Sequence, residues 1–276
     1  MQNYDSSTTV PEGFRGLGFV SSHQDIVEIT FDLPASISEV QSEPRHGKRK
    51  ARKKTPRGGD SKELVIHLAQ DKTALRSRKG DTGSVVWRAS IDFARLVLEQ
   101  LHSQHPEPLF HADRLREAHI LELGAGTGLL SIALSAHVKN YTVTDLDTLI
   151  PLIKKNIFLN APGSQISGHN ITVSSLDWVA LHKAPEHIRQ KSFQTCDIDC
   201  LLVVDCIYHP SLIEPLVETM DYLSTPGKTV ALIVMELRAE DVTRNFLLRL
   251  LEQPRWKVYR LPFMDLPYVV WGGYKV

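Results

Sequence analysis

The chain has 276 residues, of which 42% are hydrophobic, enough for one full domain with an appended segment. Lys and Arg number 32, as do Asp and Glu, so no net charge draws the whole molecule to nucleic acid or to a membrane. There is no run of about 18 apolar residues and no signal-peptide pattern, so we expect a monomeric cytoplasmic protein, also present in the nucleus, that makes no membrane contact.

The N-terminal part, residues 1–81, predicts a small extension rather than part of the main domain. Residues 26–33 and 64–68 are β-branched and partly alternating, which predicts two strands paired like a hairpin. Between them, residues 42–62 are rich in Lys and Arg and almost free of apolar side chains, so we expect a disordered insertion. A solvated linker explains this basic segment, and so does contact with nucleic acid or a nuclear signal.

From residue 82 to 276 the pattern becomes that of an α/β domain. The apolar spacing predicts helices at 91–101, 129–136, 146–159, 211–223 and 240–252, and strands at 120–123, 141–144, 171–175, 200–204, 229–235, 256–261 and 268–274. Strands that alternate with helices indicate a parallel sheet. The last two strands are joined by only a few residues, so they should be antiparallel. The predicted fold is a seven-stranded, mostly parallel, Rossmann-like methyltransferase sheet with an antiparallel C-terminal hairpin.

A glycine-rich turn, Gly124-Ala-Gly-Thr-Gly128, follows the strand at 120–123. Such a turn lets a ligand approach the backbone closely. The dinucleotide fingerprint needs glycine at position 129, which is Leu129 here, so the pattern favours S-adenosylmethionine over a nicotinamide or flavin.

Other candidate residues follow the next strands, where ligands of open α/β sheets bind. Asp145 should accept hydrogen bonds from a ribose, whereas Asp147 is better explained as a first-turn helix residue. Trp178 offers a flat face to an adenine, unless it is a core residue, and Asp177 would accept the adenine amine. The turn Asp205-Cys-Ile-Tyr208 ends the fourth strand, where the transferred group should meet its acceptor.

Three neighbouring features have a structural explanation as well as a functional one. Glu236 and Leu237 would border the substrate or form a solvated strand end, and His209 would relay a proton or lie in a surface loop. Cys196, Cys200 and Cys206 match no zinc or redox spacing, so we expect no metal site and thiols packed in or beside a strand.

Taken together, these motifs resemble the family 16 protein-lysine methyltransferases of the seven-β-strand class, over about residues 82–276. The resemblance rests on Gly83-Ser-Val-Val-Trp87, the glycine turn, Asp145, Leu176-Asp-Trp178 and Asp205-Cys-Ile-Tyr208. Within the family the chain is most similar to the fungal ribosomal lysine N-methyltransferase branch.

The resemblance implies S-adenosylmethionine as cofactor and assigns roles to residues of this chain. It implies cofactor contacts at Trp87, Gly124, Ala125, Gly126, Asp145, Trp178 and Val204. It also implies that Asp205 and Tyr208 lie at the mouth of the channel for the lysine.

The leading hypothesis is a protein-lysine N-methyltransferase that acts on a ribosomal or other translation-related protein. One alternative is a methyltransferase for RNA or a small molecule. Another is a scaffold that keeps the fold without catalysis, although the intact glycine turn, Asp145 and Asp205-Cys-Ile-Tyr208 argue against it.

Overall fold

The structure is a computed structural model that describes residues 18, 20, 24–34, 62–71, 83–161, 168–192 and 197–276. The predicted disordered insertion lies outside these residues except for Lys62, and Cys196 also lies outside them. No helix among the described residues is long and apolar enough to cross a membrane.

Nine strands occur in the described residues, and seven of them form the main sheet. The strands are β1 (Ile26–Leu33), β2 (Lys62–Ala69), β3 (His119–Leu123), β4 (Asn140–Asp145), β5 (Ile171–Ser175), β6 (Cys200–Val204), β7 (Val230–Glu236), β8 (Trp256–Leu261) and β9 (Tyr268–Lys275). The main sheet has the order β5-β4-β3-β6-β7-β9-β8, in which β9 alone among the described strands pairs antiparallel with both neighbours. The predicted sheet and its antiparallel C-terminal pair are therefore confirmed.

Helices cover both faces of this sheet. They are α1 (Arg88–Ser103), α2 (Ala112–Glu117), α3 (Leu129–Leu134), α4 (Ile150–Asn160), α5 (Trp178–Lys183), α6 (Glu186–Ser192), α7 (Pro210–Leu223) and α8 (Glu240–Leu251). Strand β6, Cys-Leu-Leu-Val-Val, is buried at every position, as expected for a parallel strand covered on both sides. Its residues alternate between two cores: Leu202 and Val204 belong to one, Leu201 and Val203 to the other.

Several helix predictions need correction. Helices α2, α5 and α6 were not predicted, because six or seven residues are too few to establish a helical apolar period. Helix α4 begins at Ile150 rather than at 146, since residues 146–149 form a turn in which the Leu149 amide donates to the Leu146 carbonyl over 2.8 Å. Pro151, at the start of α4, fits a first-turn position. Asp147 is therefore a residue of this turn and not of the helix.

The N-terminal hairpin of β1 and β2 packs into the same core as the main sheet. The two strands are antiparallel, as predicted, and Phe31, Ile66 and Leu68 are almost fully buried. On its other edge, β2 is bonded to side chains of α4. Asn156 accepts from the Ala69 amide over 2.8 Å, and Asn160 accepts from the His67 amide over 2.9 Å. These bonds satisfy backbone groups that an open strand edge would expose.

Candidate functional site

One cavity of about 300 Å³ opens at the carboxyl ends of β3, β4 and β6. Every site residue predicted from the sequence lines it: Trp87, Gly124, Ala125, Gly126, Asp145, Trp178, Val204, Asp205 and Tyr208. The nine residues come from five separate stretches of the chain, and the parallel sheet brings them together because its strand ends share one edge.

The glycine turn forms the floor of the cavity, and its backbone requires glycine. Gly124 and Gly126 have φ values of 65° and 58°, in the left-handed region that disfavours other residues. A Cβ on Gly124 would lie 2.8 Å from the Cys206 sulfur and 3.1 Å from the Trp178 ring. A side chain at position 124 would therefore have to displace Cys206 or Trp178.

Asp145 is fixed beside this turn, at the end of β4. Its Oδ2 accepts from the Gly126 amide over 2.7 Å, and its Oδ1 accepts from the Leu146 amide over 2.7 Å. Asp145 is 8% exposed and lines the cavity. This arrangement suits a ligand with two neighbouring hydroxyls, such as a ribose.

Trp178 forms a wall of the cavity at the start of α5. Its ring lies against Gly124 and is half-buried, and its buried indole N–H has no hydrogen-bond partner among the described residues. Asp177, predicted to accept an adenine amine, also lines the cavity, and its Oδ1 caps α5 by accepting from the amides of Val179 and Ala180, over 2.8 and 3.0 Å. Its second oxygen is not used by this cap.

Asp205 follows β6 in a constrained turn. Its φ is 56°, and its backbone amide donates to the Val234 carbonyl over 2.7 Å, so β7 holds the turn in place. Its side chain is only 6% exposed. Burial raises the pKa of the Asp205 carboxyl above its usual value, while the nearby Arg238 guanidinium limits that rise. Val204 is buried beside it, whereas Tyr208 is 40% exposed at the rim.

Arg238 is a cavity residue that the sequence reasoning missed. Its Nη2 donates to Asp205 Oδ2 over 2.6 Å and to Glu236 Oε2 over 2.9 Å. Its guanidinium carbon lies 4.9 Å from the centre of the Trp87 ring, a cation–π contact. Glu236 is 7% exposed, so the explanation of this strand end as solvated is wrong. The available signal was an acidic and a basic residue two apart at the end of an otherwise apolar strand.

Two buried ionisable groups near the glycine turn, Glu122 and Cys206, have raised pKa values. Burial raises the pKa of Glu122 to about 8, although the Tyr141 hydroxyl, which donates to Glu122 Oε2 over 2.8 Å, favours the carboxylate. Burial also raises the pKa of the Cys206 thiol well above its usual range. Cys200 and Cys206 are buried free thiols, as predicted.

The remaining candidates lie at the periphery. His209 is exposed and caps α7, with its Nδ1 accepting from the Ser211 amide over 3.2 Å. This is a structural use of the ring, as the surface-loop explanation expected. Leu237 is 41% exposed and lies outside the cavity lining.

Comparison with known proteins gives one family. The lysine methyltransferase family matches residues 68–253, which include every predicted site residue. A protein-lysine methyltransferase, METTL21E of Bos taurus, is 30% identical over 63% of this chain and 54% of its own length. The ribosomal lysine N-methyltransferase 5 of Zygosaccharomyces rouxii is 25% identical over 90% of this chain and 84% of its own length.

A further relative carries a different name. The diaminohydroxyphosphoribosylamino-pyrimidine deaminase of Schizosaccharomyces pombe is 30% identical over 67% of this chain but only 41% of its own length. The chain thus spans about half or less of the length of the first relatives it matches.

Proposed function

The chain belongs to the lysine methyltransferase family, and from this premise we propose that it methylates a lysine of a ribosomal or other translation-related protein, with S-adenosylmethionine as methyl donor. The observation that carries the proposal is the convergence of the glycine turn, Asp145, Trp178 and Asp205 on one cavity. The choice of substrate class is supported by the ribosomal lysine N-methyltransferase 5 of Zygosaccharomyces rouxii, since its similarity extends over 90% of this chain.

The cavity fits S-adenosylmethionine in its shape and in its polar groups. Gly124 and Gly126 both line the cavity and have left-handed φ values, so their backbone, which carries no side chain, faces a bound ligand. The Asp145 carboxylate would accept the ribose hydroxyls, and the Trp178 ring would stack on the adenine. The unpaired indole N–H of Trp178, for which the described residues supply no acceptor, would find one in a polar ligand.

The acceptor lysine would enter past the rim of the cavity. Tyr208 is exposed there and would border the channel through contact of its ring with the lysine's cation. Asp205, buried behind it, would orient the terminal nitrogen through a carboxylate oxygen. These two residues need not act as strong bases, because alignment is the main requirement.

S-adenosylmethionine held by these residues would supply an electrophilic methyl group, which an amine nitrogen with a free lone pair can accept. The amine must therefore be neutral. An ordinary lysine has a pKa of about 10.4, so about one in a thousand is neutral near pH 7. Burial of the lysine tip in this cavity would disfavour its charged form.

Methyl transfer to a protein can be tested directly. Purified protein would be incubated with radiolabelled S-adenosylmethionine and ribosomes or lysate from cells that lack it, and the label located by gel and mass spectrometry. We expect label in a protein band that survives nuclease. Asp205→Ala should abolish labelling while cofactor binding persists, and Asp113→Ala, at a side chain that is 98% exposed, should not change it.

Other outcomes would favour the alternatives. Label that disappears on nuclease treatment would indicate an RNA substrate, and label in a small-molecule fraction would indicate a metabolite. A wild-type protein that binds no S-adenosylmethionine by calorimetry would point to a scaffold without catalysis. Full labelling by Asp205→Ala would remove Asp205 from the proposed role.

A further inference from the structure

Two acidic side chains lie buried at neighbouring strand ends of the proposed lysine channel. Asp205 follows β6 and Glu236 ends β7, and their side chains are 6% and 7% exposed. The Glu236 amide lies 3.4 Å from Asp205 Oδ1, so the two residues are tied together. A pair of carboxylates here would attract the incoming lysine chiefly as an ammonium ion, the form that cannot accept a methyl group.

Arg238 forms an ion pair with the carboxylates of both Asp205 and Glu236. One nitrogen, Nη2, reaches Asp205 over 2.6 Å and Glu236 over 2.9 Å. The Trp87 ring supports the guanidinium from one side, at 4.9 Å. An arginine stays protonated at every working pH, so the group formed by Asp205, Glu236 and Arg238 carries at most one net negative charge.

Gly18 holds the guanidinium from another direction. A Cβ on Gly18 would overlap Arg238 Nη2 and lie 3.0 Å from the guanidinium carbon. Gly18 has a φ of 88° and its carbonyl accepts from the Arg88 amide over 2.8 Å, which fixes it at the start of α1. A glycine at position 18 is therefore what allows the guanidinium to stay on the two carboxylates.

We propose that Arg238 is a positioning residue that offsets one of the two negative charges of the Asp205–Glu236 pair, so that the channel selects a neutral amine over an ammonium ion. The inference rests on the proposed function, since it concerns the same channel. Among the described residues, the other ionisable groups that line this cavity are Cys206 and Tyr208 on the Asp205 turn and, on other strand ends, Asp145 and Asp177. Asp145 already accepts two backbone amides, and the Cys206 thiol is neutral.

The test uses n-butylamine as a stand-in for the lysine side chain. Its binding to the full-length protein, loaded with S-adenosylhomocysteine to prevent turnover, would be measured by calorimetry at pH 7, 8 and 9. If only the neutral amine binds, its apparent affinity should rise about tenfold per pH unit, because the neutral fraction rises tenfold per unit below a pKa of about 10.4. Arg238→Gln should bind the ammonium ion, with an affinity that changes less than about twofold per unit.

Matched variants separate charge from folding. Arg238→Lys keeps the charge and should keep the wild-type pH dependence. Gly18→Ala should displace the guanidinium and give the pH dependence of Arg238→Gln without removing an ionisable group. Arg244→Gln, at an exposed arginine paired with Glu240 over 3.1 Å, should behave as the wild type. Binding of S-adenosylhomocysteine, measured for each variant, reports whether the cavity is folded.

The outcomes are distinguishable from failure of the proposed function. A wild-type protein that does not bind S-adenosylhomocysteine would overturn the proposed function and this inference with it. A wild type that binds it but shows no rise of amine affinity with pH would overturn the inference alone. So would a wild-type pH dependence in Arg238→Gln. If Arg238→Gln does not fold, the pH dependence of Gly18→Ala decides.

Discussion

Glu122 should make the stability of this protein fall as the pH rises through neutrality. The side chain is 3% exposed and lies in β3, directly before the glycine turn. Burial raises its pKa from 4.5 to about 8, so the folded protein binds this proton more tightly than the unfolded chain does. Stability is therefore greatest below pH 4.5 as far as Glu122 is concerned, and it decreases until the carboxyl ionises in the folded state near pH 8.

The expected magnitude follows from the size of this pKa change. One pKa unit corresponds to 1.36 kcal/mol, so ionisation of Glu122 lowers the free energy of unfolding by about 1.5 kcal/mol between pH 6.5 and pH 8. This pH window lies above the range in which His137 changes the stability. Burial is the main cause that lowers the pKa of His137 from 6.5 to about 4, so its contribution to the free energy of unfolding rises with pH mainly between these two values. A typical domain has a free energy of unfolding of about 5–15 kcal/mol, so the change is measurable.

Glu122→Gln is the perturbation that tests this. Glutamine has the shape of the protonated acid and can accept the hydrogen bond of Tyr141, but it does not titrate. Urea unfolding followed by tryptophan fluorescence, from pH 6.5 to 8, should show the wild type losing about 1.5 kcal/mol relative to the variant. In Tyr141→Phe the slope should persist and extend to higher pH, because a bond that favours the carboxylate is gone. Parallel pH profiles for wild type and Glu122→Gln would refute the reasoning.

Three further predictions concern neighbouring groups. Asn156→Ala should lower the free energy of unfolding by about 3 kcal/mol or more, because buried backbone groups of Ala69 and Thr127 lose their hydrogen-bond partner. A loss below about 1 kcal/mol in urea unfolding would contradict this. Trp178→Ala should weaken S-adenosylhomocysteine binding about 5- to 150-fold by calorimetry, because a lost stacking partner costs about 1–3 kcal/mol, and unaltered affinity would return Trp178 to a core role. Asp145→Asn should weaken the same binding about tenfold or more, since bonds to a charged acceptor contribute about 1.5–3 kcal/mol; wild-type affinity would mean that the ribose is held elsewhere.

The sequence was sufficient to predict the sheet and the residues around the cavity, for a reason of geometry. Every strand of the parallel part delivers its last residues to one edge, so Gly124, Asp145, Trp178 and Asp205 could be placed together once the strands were assigned. The assignment was reliable because central strands such as β6 are apolar at every position.

Arg238 could not be predicted in the same way. Its partner Asp205 lies 33 positions away along the chain, and nothing in either local pattern indicates the pairing. The segment Met235-Glu-Leu-Arg238 has the composition of an ordinary strand end entering solvent. The pairing of β6 with β7, which the hydrogen bond from the Asp205 amide to the Val234 carbonyl continues, brings the three charges together. The short helices were missed because tertiary contacts and the Asp177 cap, rather than a periodic pattern, define them.

Residues of the N-terminal part, 1–81, contact groups that line the cavity or hold its lining at two places, which changes how this part of the chain should be regarded. Gly18 presses on Arg238, and the hairpin is bonded through Asn156 to the Thr127 carbonyl within the glycine turn. Asn156 also bonds both backbone groups of Ala69, so a shift of β2 would be felt at that turn. The segment that looks like an appendage by its composition therefore contacts both the Arg238 guanidinium and the glycine turn, so we expect changes in it to alter the candidate cavity.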